Sequence, residues 1–190
     1  MEGFALILIG AAIFSHSWYL LGMYSDARPV GVIMAALAAG ILITLTMQPQ
    51  VVGYMGSNGV QLVGEMTMMK MLIVMWAVYA GIVAAQGWWD LEERSIGLYA
   101  VPLAISSAMA IFFFATQLWE HDDIAGVSAG GVTATMTGAT AILTVLAAVM
   151  FAYMAKPVSA LKPVAGWFML VGSIGVMVIG LAIISTVIAY

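Results

Sequence analysis

Reading the chain for alternation of greasy and polar stretches gives six long apolar runs, at 3–24, 30–47, 66–88, 96–119, 132–155 and 163–189. A helix needs about 20 mainly apolar residues to cross ~30 Å of hydrocarbon, and these runs have that length. Between them lie "SDARP", "QPQVVGYMGSNGVQLVGE", "WDLEERS", "EHDDIAGVSAGG" and "KPVSALK", which hold most of the prolines and nearly all the charges. Such segments read as water-facing turns. No stretch alternates apolar and polar residues as barrel strands do, so a transmembrane β-barrel is disfavoured. The pattern predicts an all-α integral membrane protein: one membrane domain over residues 1–190, with six transmembrane helices. Breaks one, three and five are short, so the helices pair as three consecutive hairpins.

Composition supports this. Of 190 residues, 64% are hydrophobic and 7% charged, against roughly 25% charged in soluble domains. The opening "MEGFALILIG" carries an acidic residue where a signal peptide carries a positive region, and it reads as a retained helix. Cysteine is absent, so disulfides and thiolate metal sites are excluded. Five basic residues form no patch for nucleic acid. Arg28, Arg94, Lys156 and Lys162 lie in or beside the odd-numbered breaks, and Lys70 alone lies towards the other side. The positive-inside rule then places the odd breaks in the cytoplasm and both termini outside a cell (inner) membrane.

Within the spans, ionisable groups are almost missing. Lys70 falls within about a turn of the start of the third run and can snorkel. His16 alone lies deep. Coupled transporters place groups that change charge inside the bundle, and one weak base without a buried acid does not supply them. Passive passage of a neutral solute, or no passage, fits better. No nucleophile–base pair or zinc motif appears, so an enzyme is not expected, and neither is a cofactor or a metal.

His16 has two readings. An imidazole bonded to a neighbouring helix acts as packing glue; an imidazole in a polar pathway offers a donor and an acceptor to a passing solute. Ala5, Ile9, Ala12, Ile13, Tyr19 and Leu20 share or flank its face by helical spacing. The pathway reading is preferred, because intramembrane ionisable groups default to function. Met66, Met68, Met69 and Met71 could offer soft ligands to Cu(I). With sixteen methionines along the chain, apolar filling is the better account. His121, among the carboxylates of "WEHDD", is a candidate pH sensor or metal ligand, although a solvated loop behind an interfacial tryptophan is the better account. Arg94 can pair with Glu92 or Asp90. Gly172 and Gly175, three apart, allow close helix contact within or between protomers.

Several features together resemble the AmiS/UreI family of urea and amide channels. In the first span these are Gly3, Leu6, Gly10, Ser15 and Leu21–Gly22, with His16 where the family has an asparagine. In "VYAGIVAAQGWWDLEERSIGLYAVPLAI" they are Tyr79, Leu91, Arg94, Gly97, Tyr99, Ala104 and Ile105. "KPVSALKPVAGW", with Trp167, is similar to the family's last cytoplasmic turn. The chain departs from the family at its filter: the fifth span has no tryptophan, Gly172 stands at a glutamate position and Met75 at a phenylalanine position. The resemblance implies a homo-oligomeric ring, hexameric in form, with one pore per protomer. It also implies that Leu6, Ile9, Ile13 and Met75 line a constriction where His16 and Tyr79 hydrogen-bond the solute. The lead expectation is a passive channel for a small neutral solute of the amide, urea, ammonia or water class. The alternative is a non-transporting membrane subunit or assembly protein that packs against partner membrane proteins.

Overall fold

The computed structural model describes residues 2–23, 26–47, 63–120, 129–155 and 161–188. They form six α-helices: α1 (Glu2–Leu20), α2 (Ala27–Met47), α3 (Val63–Trp89), α4 (Glu93–Glu120), α5 (Ala129–Ala155) and α6 (Lys162–Ile188). Each contains a window apolar and long enough to cross a bilayer. Helices satisfy their own backbone groups, which lipid cannot do, so an all-helical architecture is the physical answer to this composition.

The helix ends are set by short-range chemistry. The first apolar run continues past Tyr19, yet α1 stops at Leu20. Gly22 takes φ +74°, its N–H donates to the Tyr19 carbonyl, and the Met23 N–H reaches back to Trp18. This is a Schellman ending, which needs a left-handed residue that glycine supplies without strain. α2 begins three residues earlier than the apolar run because Asp26 Oδ1 accepts the Arg28 N–H at 3.0 Å, a helix N-cap. α4 likewise begins at Glu93, an acidic residue in its first turn, where the helix dipole favours negative charge. α3 begins at Val63, so Lys70 stands about two turns inside the helix. Its apolar window starts only at Met68, which still leaves Lys70 at the water boundary.

Each helix packs against its chain neighbours, and α6 returns to α1, so the six close into a ring with α1 also touching α3. The hairpin partners α1–α2, α3–α4 and α5–α6 are in contact. The most extensive seams, however, are α4–α5, α1–α6 and α2–α3, which join one hairpin to the next. Small residues explain two of them. Gly3 faces Gly180 and Gly10 faces Met177 and Ser173 across α1–α6, while Gly87 faces Gly31 and Ala27 across α2–α3. Gly172 and Gly175 receive Leu146 and Ile142 of α5, so their face serves contact within the protomer.

Buried area separates inner from outer helices. Inside the protein lie 56% of the α1 window and 50% of that of α3, against 28% for α2, 33% for α4 and 28% for α6. α1 and α3 therefore carry the interior, and α2, α4 and α6 show apolar side chains such as Val32, Phe112 and Val178 to the surroundings.

Candidate functional site

The buried hydroxyls are mostly spoken for within their own helices. Ser17 donates to the Phe14 carbonyl, Thr44 to Ile41, Ser106 to Leu103, Thr140 to Met136 and Ser173 to Leu170, all at 2.6–2.9 Å. None of these bonds joins two helices. An imidazole buried in the same interior poses the same problem of finding a partner.

His16 solves the problem across the bundle. Its Nδ1 lies 2.5 Å from the Tyr79 hydroxyl, which links α1 to α3, the two most interior helices. His16 is 1% exposed and Tyr79 0%. His16 sits one turn before the end of α1, so it belongs to the half of the bundle nearer the odd-numbered breaks rather than to the middle. Below it on the same face, at spacings of three and four, come Ile13, Ile9 and Leu6, all buried in the core. Met75, one turn before Tyr79, is half-buried; its carbonyl accepts the Tyr99 hydroxyl of α4 at 2.9 Å, with the thioether 3.5 Å from the same oxygen. The structure thus brings His16 and Tyr79 into direct contact, and it adds Tyr99 as an α4 anchor for Met75.

Trp76 completes the cluster. It is 1% exposed, and its ring meets that of Tyr79 edge-on with centroids 5.4 Å apart; the Tyr79 ring in turn lies 5.9 Å from the imidazole. The Trp76 indole Nε1 has no hydrogen-bond partner among the described residues. Reading the sequence missed this residue. The available signal was a tryptophan far from either helix end, where interfacial belt residues do not stand.

One turn beyond His16 and Tyr79, towards the odd-numbered breaks, the α1–α2–α3 wedge opens into a small cavity of about 20 Å³. It is lined by Tyr19, Val30, Val83, Gln86 and Asp90, with Ala27 and Gly87, and has room for roughly one water. Next to it, Lys162 Nζ lies 5.7 Å from the centroid of the Tyr19 ring and 3.4 Å from Glu93 Oε1, while the Tyr153 hydroxyl donates to Glu93 Oε2 at 3.1 Å. This polar cap ties α1, α4, α5 and α6 together at one end of the bundle. It also corrects the pairing expected at the third break: Arg94 makes no ion pair with Glu92 or Asp90, and the acid that is paired is Glu93, on Lys162. Glu93 faces the bundle from the first turn of α4, whereas Arg94 is exposed.

Of the methionine run, Met69 turns into the core and Met68 lines an outer groove between α3 and α4; the side chain of Met66 lies outside the described residues. His121 also lies outside them. Among the described residues, no group of three or more His, Cys, Asp or Glu side chains comes together as metal ligands would.

No protein-family model and no curated protein matches the chain by sequence. A solved structure does match it by shape: the urea channel from the human gastric pathogen Helicobacter pylori, with a TM-score of 0.62 over 92% of this chain and 91% of that one, at 15% sequence identity. The chain is a six-helix membrane protein that shares its fold with that urea channel.

Proposed function

We propose that the protein is a passive channel for a small uncharged solute of the amide, urea, ammonia or water class, and that its pathway crosses the His16–Tyr79 bond. The observation that carries this is a fully buried histidine–tyrosine hydrogen bond between the two innermost helices, in an interior whose buried hydroxyls mostly bond within their own helices. The shared fold with a urea channel supports it. Leu6, Ile9, Ile13 and Met75 form the apolar constriction. An ion would lose its hydration there at great cost, whereas a neutral amide loses far less. His16 and Tyr79 hydrogen-bond the solute. In the resting conformer they hold each other, and passage exchanges that bond for bonds to the solute. The protein assembles as a ring of identical subunits, a hexamer by the resemblance, in the cell membrane, with both termini outside. His121, in the sequence segment expected on that outer side, is a candidate pH sensor.

Stopped-flow swelling of vesicles carrying the purified protein tests this. Solute flux should exceed that of bare lipid, and His16→Ala should change the flux or its selectivity while the protein stays folded. Flux no greater than bare lipid would defeat the proposal. The complete burial of the pair also favours a second reading, a non-transporting subunit in which the bond is packing glue. Purification from native membranes with a constant foreign partner, and no flux, would establish that instead.

A further inference from the structure

Trp76 has a specific chemistry. An indole N–H only donates. Held in a desolvated interior without a partner, it carries the full desolvation cost of a polar group. A phenylalanine would place an aromatic ring there without that cost, though a smaller one. The neighbouring Tyr79 ring is an incomplete remedy, since an N–H···π contact is weaker than a bond to a carbonyl.

The position of the group narrows its use. Trp76 and Tyr79 lie three residues apart on α3, and their rings touch edge-on. The Tyr79 hydroxyl holds His16 Nδ1. When Nδ1 accepts the tyrosine proton, the neutral imidazole carries its own hydrogen on Nε2. The cluster then presents two donors, indole Nε1–H and imidazole Nε2–H, and the oxygen of Tyr79 as acceptor.

Resting on the channel reading, we infer that Trp76 is a specificity-determining residue: its buried indole N–H donates to the carbonyl oxygen of the passing solute and so favours carbonyl-bearing solutes over water. Water files through narrow apolar pores bonded to other waters. A carbonyl solute displaces that escort and takes its hydrogen bonds from the wall. Trp76 supplies one, while Tyr79 and His16 supply the others.

The test compares Trp76→Phe with the natural protein in vesicles, reading urea and acetamide flux against water flux in the same preparations. The variant should lower the urea-to-water and acetamide-to-water ratios about three- to ten-fold, the worth of one hydrogen bond, with water flux within about two-fold. Unchanged ratios in a folded variant overturn the assignment while leaving the channel reading intact. A natural protein that conducts nothing defeats the channel reading separately. In that event an equilibrium measurement still decides: in ¹⁵N-tryptophan-labelled protein, the Trp76 indole signal, identified by its loss in Trp76→Phe, should shift downfield with acetamide and not with methylammonium. An indole signal indifferent to acetamide overturns the assignment.

Discussion

α1 meets two neighbours in opposite ways. Against α6 it is pressed backbone to backbone: a Cβ added at Gly3 would lie 2.5 Å from the Gly180 carbonyl oxygen, and one added at Gly180 would lie 2.6 Å from that of Gly3. Against α3 it is held off by long side chains and linked through the His16–Tyr79 bond. Backbone contacts have no rotamers and cannot open without moving whole helices. Side-chain contacts can open by rotation of one or two χ angles. The α1–α6 seam is therefore a wall, and the α1–α3 seam is the one that the proposed passage would use.

The largest break to this contrast is Gly180→Val. The atoms nearest its Cβ would be the Gly3 carbonyl oxygen and the Ile7 side chain and N–H, so destabilisation of about 3 kcal/mol or more is expected, the upper end for overpacking. Thermal unfolding in detergent reads it, and a near-normal transition would show that the wall is pliable. Tyr79→Phe attacks the other seam. It leaves His16 buried without its partner, costing about 1–2 kcal/mol, and it should alter solute flux, which Gly180→Val in any surviving folded fraction should not do selectively. Tyr99→Phe sharpens the picture further out, where the lost bond to the Met75 carbonyl is worth roughly 0.6 kcal/mol, typical of interhelical bonds in membranes. Glu93→Gln is the smallest. The Lys162 pair is partly exposed, so less than about 1 kcal/mol is at stake. The difference from the natural protein should shrink between 50 and 500 mM salt, as the Debye length falls from about 14 Å to about 4 Å.

Much of this was legible in the chain. Span number and type follow from apolar length, because a bilayer imposes a fixed thickness on every crossing. Ends were less legible where a local motif sits inside apolar surroundings: "YLLGMY" hides the glycine that stops α1, and "DLEERS" hides the start of α4 among loop-like charges. His16 and Tyr79 could each be singled out, His16 by its cost in lipid and Tyr79 by resemblance. Their mutual bond could not be read from residues 63 apart in the chain. Trp76 escaped because an unpaired indole nitrogen is a property of packing, and the same letter elsewhere in this chain, as at Trp88 and Trp89, marks an exposed helix end. Glu93 and Lys162 were visible as charges, but their pairing depends on the ring closing.

The self-contained hydroxyls have a consequence for biogenesis. Ser17, Thr44, Ser106, Thr140 and Ser173 bring no unmet demand into the lipid, so the segments bearing them can partition into the bilayer singly and dock afterwards. Ser107 of α4 lacks a partner even in the folded bundle, among the described residues, and α1 carries a heavier demand. Until α3 arrives, its imidazole has no partner, and the early intermediate carrying it is the one most dependent on the insertion machinery for shelter.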